Sequence, residues 1–453
     1  MMLMIRFIHG IFSIVIVKKI FKKAYSKDLI TSYLVMGITI IIPLVLTPML
    51  LNKLGAEQYG LWILLTTILA YFQLSNLGLS TTLLKEISDN KNFEDTSKLI
   101  STTIFFFLIV FFIVSFIFLF LFLNINSFFQ INENLITTAR GVFILMFIIF
   151  GINLIASIFD NILFAKKLLY VKNLIILVST LASAIFTIVI LELGYGLIEI
   201  ALINLSLSII TGILYFFISS KITKFKITYK LFDFALLKSM FKPSIYYFII
   251  SVSIMVSFYS DNIIISSYIG LGSVAIYAVA YKVVKLVEQI IFKITDILFP
   301  DISRMYKNAK YSELLAKHNK VLLYSMFLAI SGYGFLLLFG TKIIALWVGA
   351  KYTIDLSVFY YLIAFAFVHT WNHVSSVFIM AMGLHKEVSY SVLIEAILNV
   401  ILSIILLKYY GLAGVAMGTF FAHILTNNWF VVFWFYKNIY RLKNAQIKKV
   451  VND

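Results

Sequence analysis

The feature that most constrains this chain is a series of long apolar runs separated by short polar segments. Each run approaches the roughly 20 residues that an α-helix needs to cross the hydrocarbon core of a bilayer. Apolar residues make up 62% of the 453-residue chain and charged residues only 13%, whereas soluble domains carry about 25% charged residues. The runs lack the short alternation typical of membrane β-barrels. The sequence therefore predicts an all-α polytopic membrane protein.

The apolar runs predict twelve transmembrane helices in two sets of six. The first set lies near residues 29–50, 60–84, 99–123, 141–164, 173–192 and 197–220. The second set lies near residues 244–269, 274–299, 320–346, 356–382, 388–408 and 413–436. Because the count is even, both termini lie on the same side of the membrane.

The distribution of lysine and arginine predicts that this side is the cytoplasm. With the N-terminus inside, 29 of the 37 basic residues fall in cytoplasmic segments, five fall outside and three lie within span eight. Such a bias sets the orientation of membrane proteins. The net charge of +17 is therefore interpreted as topology signals and contacts with membrane lipids, and we expect no nucleic acid partner.

The chain divides into five predicted segments. Residues 1–28 form a basic amphipathic helix on the cytoplasmic face, because lysines follow its apolar centre where a signal peptide would have small residues. Residues 29–220 and 244–436 form two six-helix lobes. Between them, residues 221–243 form a basic cytoplasmic linker, for which membrane anchoring is favoured over regulation. Residues 437–453 form a basic cytoplasmic tail.

The two halves resemble each other. Leu54-Gly55 opens the turn after span one, and Leu271-Gly272 opens the turn after span seven, 217 residues later. Gly196-Leu197 and Gly411-Leu412 open the turns after spans five and eleven, at an offset of 215 residues. The nearly equal offsets indicate a tandem duplication. Parallel repeats of this kind are typical of transporters that bind substrate between their halves.

Span eight, Tyr277–Pro300, is unusually charged for a membrane helix. Five polar side chains share one narrow stripe of the helix, at spacings of 3, 4, 4 and 3 residues, and they are Lys282, Lys285, Gln289, Lys293 and Asp296. Charged groups inside a membrane normally face the bundle interior. A net positive stripe would suit an anionic ligand. Alternatively, the pairs Lys285–Glu288 and Lys293–Asp296 only join helices.

Asp261 and Asn262 in span seven supply polar groups on the neighbouring predicted helix. Counted from the intervening turn, Asp261 and Lys282 lie at similar depths. We therefore expect an Asp261–Lys282 contact. It is either a static pair or a switch that opens when a ligand or proton arrives.

Other polar residues give weaker indications. Glu395 and Asn399 lie at i,i+4 in span eleven and either join helices by hydrogen bonds or form a proton or ion site. His369 and His373 have metal-ligand spacing, but without an HExxH motif polar packing or a cavity lining is favoured over zinc. The chain has no cysteine, and it shows no Walker A, Rossmann or GxSxG motif. We therefore expect no cofactor and no enzymatic activity.

Short motifs in a fixed order give the chain a family resemblance. It is similar to Wzx-type polysaccharide or O-antigen flippases of the MOP superfamily, which also includes MATE exporters and lipid II flippases. The resemblance covers residues 28–436 and is carried by LGAEQYGLW (54–62), LGL (77–79), Asp261-Asn262, Ile269-Gly270, Tyr277 to Lys282 and FPDIS (299–303).

This resemblance implies two lobes around a cationic cavity lined by spans one, two, seven and eight. Alternating access would carry an undecaprenyl-pyrophosphate-linked oligosaccharide to the outer leaflet of a bacterial cytoplasmic membrane, as in lipopolysaccharide assembly, beside a glycan polymerase and other assembly proteins. The cavity-lining candidates are Lys282, Lys285, Lys293, Asp261, Asn262 and Gln289. The candidates for coupling or gating are Asp261, Glu288, Asp296 and Glu395. Lysines here replace the arginines often used for phosphate.

Three other functions are compatible with the sequence. A multidrug exporter of the same fold would more naturally have an acidic cavity for cationic drugs. A glycan polymerase or ligase would usually carry a large external loop with Arg or His, whereas the longest external loop here, residues 124–138, has neither. A scaffold for a glycan assembly complex would transport nothing.

Overall fold

The computed structural model describes residues 24–89, 92–241 and 245–452. Within these ranges all regular structure is helical, so the predicted all-α class is confirmed. Most of the predicted basic N-terminal segment, residues 1–23, lies outside the described residues, as does the end of the predicted linker.

The described chain forms a series of helices joined by short turns. In chain order they are α1 (Ala24–Gln73), α2 (Leu79–Asp89), α3 (Phe93–Leu123), α4 (Ile125–Phe128), α5 (Glu133–Ala165), α6 (Leu169–Glu192), α7 (Leu197–Thr223), α8 (Phe234–Phe241), α9 (Ile245–Tyr268), α10 (Leu271–Asp296), α11 (Phe299–Lys307), α12 (Tyr311–Val348), α13 (Leu356–Ala381), α14 (His385–Tyr410), α15 (Leu412–Leu425) and α16 (Asn427–Asn452).

Ten helices in the described ranges are long and apolar enough to cross a membrane. The 50-residue helix α1 covers predicted span one and residues 60–73 of predicted span two, with a kink between them where Gly55 adopts a φ of 84°. A side chain at such a φ would be strained, so glycine is needed at this kink. The rest of predicted span two continues through a short turn into α2. Helix α10, the charged span eight, is 26 residues long but too polar to be recognised by composition. The count of twelve spans and the side of the termini stay predictions.

The described residues of Met1–Met49, Ser75–Phe118 and Gly141–Pro243 form one compact unit. At its N-terminal end, the Asp28 carboxylate accepts a hydrogen bond of 2.8 Å from the backbone N–H of Tyr170. The basic linker is held against α3, since the N–H of Lys226 donates to Ser97 Oγ at 3.1 Å and the N–H of Asp233 donates to Thr102 Oγ1 at 3.1 Å. The linker is thus a fixed part of this unit.

The described residues of Leu50–Leu74, Leu119–Arg140 and Ser244–Asp453 form the second unit. The predicted division places residues 50–74 and 119–140 in the first lobe, whereas their contacts place them in this second unit. They are tied to the C-terminal half by backbone and side-chain hydrogen bonds. Tyr352 Oη donates to Leu51 O at 2.7 Å, and the N–H of Gln130 donates to Ser266 O at 3.0 Å. The division into two sequential lobes stays a prediction.

Small residues allow the helices of the second unit to pack closely. A Cβ added at Gly60 would lie 1.9 Å from the carbonyl oxygen of Leu271, and one added at Gly418 would lie 2.4 Å from Ser403 Oγ. Close backbone approach through glycine is a common source of association between membrane helices. These contacts hold α1 against α10 and α14 against α15.

Candidate functional site

The charged helix α10 is the central element of the candidate site. It begins after Gly270, whose φ of 123° favours glycine. Its N-terminal half is largely buried, whereas Ile290 is 66% exposed. Lys282, Lys285 and Lys293 are half-buried, and Gln289 is exposed. The three lysines of the stripe are therefore partly accessible to solvent in the described structure.

Lys282 contacts a residue of helix α1. Its Nζ lies 2.5 Å from the hydroxyl of Tyr59 and 5.2 Å from the centre of the same ring. Tyr59 is 1% exposed, so its hydroxyl occupies a fixed position. Tyr59 was not predicted to be a site residue, although it lies in the motif at residues 54–62.

The predicted Asp261–Lys282 contact is wrong. Asp261 is 4% exposed, and its carboxylate accepts hydrogen bonds from Tyr277 Oη at 2.6 Å and Thr419 Oγ1 at 3.0 Å. Equal depth in two helices does not mean contact, because the rotation of each helix decides which side chains meet. Here Asp261 is turned towards Tyr277 on α10 and towards α15.

Lys285 forms the ion pair that its spacing suggests. Its Nζ lies 2.5 Å from Glu288 Oε2, and Glu288 Oε1 lies 2.5 Å from His369 Nδ1 on α13. Glu288 is 2% exposed, so its carboxylate is compensated by two basic groups rather than by water. Lys285 also lies 4.6 Å from the centre of the Phe258 ring. The predicted Lys285–Glu288 pair is confirmed.

The second suggested pair, Lys293–Asp296, is wrong. Among the described residues no ion pair involves Lys293. Asp296 Oδ1 instead lies 3.2 Å from His373 Nε2, and the His373 ring stacks on Phe292 at 3.5 Å between ring centres. The i,i+4 histidines of α13 therefore each meet an acidic residue of α10.

The second unit has a partly open cavity of about 340 Å³ beside these residues. Its lining is contributed by six helices and is mostly apolar, with a few polar groups. The lining residues are Ile250, Ile254, Ser257, Phe258, Asp296, Phe299, His369, Asn372, His373, Ser376, Val377, Met380, Val388, Val392, Glu395 and Asn427. Both His369 and His373 line this cavity, which is one of the two roles expected for them.

Glu395 and Asn399 in α14 do not bond to each other. Glu395 Oε1 lies 2.9 Å from His423 Nδ1, and Asn399 Nδ2 donates to Thr419 Oγ1 at 2.9 Å. Both contacts join α14 to α15. Hydrogen bonding between helices, the favoured interpretation of this polar pair, is confirmed. His423 and Thr419 were missed, although their i,i+4 spacing places two polar groups on one face of an apolar helix.

Asn262 joins two distant parts of the second unit. Its Nδ2 donates to Thr67 Oγ1 at 3.1 Å. Within the described ranges, no group of three or more His, Asp or Glu residues has the arrangement of a metal site.

Beyond α10, Arg304 and Lys317 contact the Asp301 carboxylate. The Arg304 hydrogen bond, aided by Lys317, lowers the pKa of Asp301 below its usual range.

Part of the chain matches a known protein family. Residues 25–306 match the model of the family described as polysaccharide biosynthesis protein. An uncharacterised membrane protein of Methanocaldococcus jannaschii, MJ1068, is 26% identical over 207 residues, which are 45% of this chain. The match spans 40% of the length of that relative.

Solved structures with very different sequences share the fold. An inward-facing multidrug resistance MATE transporter matches with a TM-score of 0.74 and 15% identity, over 92% of this chain and 99% of its own. The lipid II flippase MurJ in an inward closed conformation also matches with a TM-score of 0.74 and 19% identity, over 93% of this chain and 92% of its own. A MOP superfamily transporter from Pyrococcus furiosus matches with a TM-score of 0.62 and 14% identity, over 93% of this chain and 97% of its own.

The family match covers more than half of the chain, and the structural matches cover nearly all of it. The predicted MATE-like fold is confirmed, and the family resemblance is confirmed at the level of the polysaccharide biosynthesis protein family. The narrower Wzx-type assignment stays a prediction. The chain is a multi-pass membrane protein that belongs to the polysaccharide biosynthesis protein family and has the fold of the MATE transporters and MurJ.

Proposed function

We propose that this protein is a flippase that moves an undecaprenyl-pyrophosphate-linked oligosaccharide from the cytoplasmic to the outer leaflet for surface polysaccharide assembly. The observation that carries the proposal is the line of three ammonium groups on α10, with two acids on the same helix. Lys282 contacts the phenol of Tyr59, and Lys285 is paired with Glu288. Ionisable residues within a membrane-spanning helix are costly and usually mark a functional site.

In the proposed cycle the lysines replace part of the hydration that the pyrophosphate loses in the cavity. Charge-assisted hydrogen bonds from ammonium groups to phosphate oxygens are among the strong ones. The glycan would follow the pyrophosphate, and the prenyl tail would stay in lipid. The chain would work as a transporter rather than as an enzyme, in a bacterial cytoplasmic membrane, with both termini inside and with a glycan polymerase among its partners.

Transport against a gradient needs a driving ion, and the acidic residues Asp261, Glu288, Asp296 and Glu395 are the candidates for coupling or gating. All four belong to the second unit. Each is contacted by a hydroxyl, an ammonium or an imidazole. A carboxylate with such a partner can change its protonation, or exchange its partner, when the site is loaded.

The experiment is complementation of a strain that lacks its own copy of the protein. Lys282→Gln, Lys285→Gln and Lys293→Gln are introduced singly and together, and surface glycan is measured at matched protein levels. Lys408→Gln is the control, because Lys408 is exposed near the end of α14. We expect loss of glycan in the triple variant and normal glycan in the control. Normal glycan in the triple variant would reject the cationic-stripe mechanism.

A second candidate function is export of cationic drugs. The cavity of about 340 Å³ includes Asp296 and Glu395 in an otherwise largely apolar lining, which is the chemistry that an organic cation needs. Accumulation of a panel of fluorescent cations separates the two functions. Export that depends on Glu395 but not on Lys282 would favour the drug exporter.

A further inference from the structure

Three of the six histidines of the chain are paired with carboxylates inside the second unit. The pairs are His373–Asp296 at 3.2 Å, His369–Glu288 at 2.5 Å and His423–Glu395 at 2.9 Å. Each pair joins two different helices. Three such pairs in one helical unit exceed what packing alone requires, because a neutral hydrogen-bonded pair would join the helices as well.

The three pairs differ in their access to solvent. The side chain of Asp296 is 49% exposed, whereas that of Glu288 is 2% exposed and that of Glu395 is 9% exposed. The cavity is lined by His373 and Asp296 and also by Glu395. One cavity therefore connects an open pair with a buried one.

His369 lies between the other two histidines. The centre of its ring is 6.5 Å from that of His373 and 5.3 Å from that of His423. The three rings are therefore neighbours within one cluster. The three imidazoles thus form a graded series from the open pair to the fully buried His423.

The surroundings of the series are mainly aromatic, with few other charges. Lys285 contacts Glu288, and the phenols of Tyr281 and Tyr333 lie within the electrostatic reach of the same carboxylate. The rings of Phe258, Phe292 and Phe365 pack around His369. Asp261 is held separately by Tyr277 and Thr419. The charged groups in contact with these pairs are therefore their own carboxylates and Lys285.

His423 is distinguished from the others by an unused nitrogen. It is fully buried, its Nδ1 contacts Glu395, and its Nε2 has no hydrogen-bond partner within the described residues. A buried polar atom without a partner is costly and calls for a functional explanation. A nitrogen that takes up and releases a proton provides one.

We propose that this cavity is a proton-binding site, in which the Glu395–His423 pair carries the proton and the Asp296–His373 pair is its entrance. Loading transfers one proton from water to the pair, changes its net charge from −1 to 0, and makes or breaks no other bond. Histidine is the side chain suited to this exchange near neutral pH. The inference rests on the proposed function, because it assigns the ion that drives transport.

The first test measures proton binding without any glycan. Protein labelled with ¹⁵N-histidine is reconstituted in lipid bilayers, and the imidazole signals are followed by solid-state NMR from pH 5 to pH 8. Single histidine variants assign the signals. We expect the His423 signal to change protonation in this range and Glu395→Gln to move its midpoint. A His423 signal that keeps one protonation state throughout the range would overturn the proposal.

The second test measures whether the proton changes the conformation. The chain has no cysteine, so pairs of spin labels can be placed at chosen sites without background. We expect acidification to shift the distance distribution between labels in the two units, and we expect Glu395→Gln and His423→Gln to abolish that shift. A shift of wild-type size in both variants would contradict the proposal.

The matched control is His318→Gln. His318 is also fully buried, but its nitrogens contact Ser375 and Asn319 rather than a carboxylate. The control should keep the full pH-dependent shift, and its loss there would show that the effect is not specific to the proposed pairs. Because neither readout uses a glycan, failure of the flippase function in complementation and failure of proton binding are separate results.

Discussion

The ammonium of Lys282 lies 2.5 Å from the hydroxyl of Tyr59, although the two residues are 223 positions apart in the chain. The contact joins α10 to α1 within the second unit. A phenol accepts a hydrogen bond from an ammonium without bringing a negative charge, so the contact positions the Lys282 side chain. An anionic ligand that reaches Lys282 would meet a positioned donor, and Tyr59 would be the group displaced or shared.

The Tyr59 hydroxyl can be removed while the ring is kept. Tyr59→Phe should lower stability by about 1.5–3 kcal/mol, the usual contribution of a hydrogen bond to a charged group. The measurement is the thermal unfolding midpoint of the purified protein. A double-mutant cycle with Lys282→Gln should show coupling. Tyr59→Phe should cost less in the Lys282→Gln protein, because the hydrogen bond to the ammonium is already absent there. Additive effects of the two changes would contradict the contact.

Removing the Glu288 carboxylate alone should destabilise the protein more than removing both charges of the Lys285–Glu288 pair. Glu288→Gln leaves a partly buried ammonium and removes the carboxylate beside His369, which costs on the order of 3 kcal/mol for a broken buried pair. The double variant Lys285→Met/Glu288→Leu removes both charges and should be milder. Chemical or thermal unfolding of the two variants gives the order. A double variant less stable than Glu288→Gln would show that the pair itself is strongly stabilising.

Gly60 should not tolerate even one added methyl group. Its Cβ would lie 1.9 Å from the carbonyl oxygen of Leu271, so α1 and α10 would have to separate. Gly37 lies in the same helix and has nothing within 4 Å of a built Cβ, so Gly37→Ala is the matched control. We expect Gly60→Ala to lower the unfolding midpoint, and Gly37→Ala to keep or raise it, since alanine favours helix by up to about 1 kcal/mol. Equal midpoints would contradict this packing.

The anchoring of the linker should depend on pH through Asp233. A hydrogen bond from Lys98, and a second from the N–H of Leu236, lower the pKa of Asp233. A carboxyl group whose pKa is lower in the folded than in the unfolded state stabilises the folded state at pH values above its unfolded pKa of about 3.9. This stabilisation is lost as the pH falls through the folded-state pKa. Hydrogen exchange of residues 224–236 should therefore be slower in wild type than in Asp233→Asn at pH 7. The difference should shrink below about pH 4, and a constant difference would exclude this carboxylate as the anchor.

Parts of the fold and site are local enough to be predicted from the sequence. Apolar runs of bilayer length predict membrane helices whatever their neighbours. Gly55 and Gly270 mark turns because other residues are strained there. The Lys285–Glu288 pair is encoded by a spacing of three residues on one helix, which brings the side chains together without tertiary information.

The remaining contacts depend on how the helices are rotated against one another. Thr419 meets Asp261 across 158 residues, and His369 meets Glu288 across 81. Apolar runs are nearly uniform around the helix axis, so they do not indicate which face points inward. Asp261 and Lys282 are expected at similar depths from their distance to the turn, but Tyr277 and Thr419 occupy the side that Asp261 faces.

The central claim is that the α10 lysines bind the pyrophosphate of a lipid carrier. Native mass spectrometry of the purified protein with undecaprenyl pyrophosphate tests it directly, with undecaprenol as the ligand that lacks phosphate. We predict 1:1 binding of the pyrophosphate form, weakened at least about tenfold in the triple Lys282→Gln/Lys285→Gln/Lys293→Gln variant, because each lost charged hydrogen bond is worth about 1.5–3 kcal/mol. Equal binding of undecaprenol, or unchanged binding in the triple variant, would contradict the account.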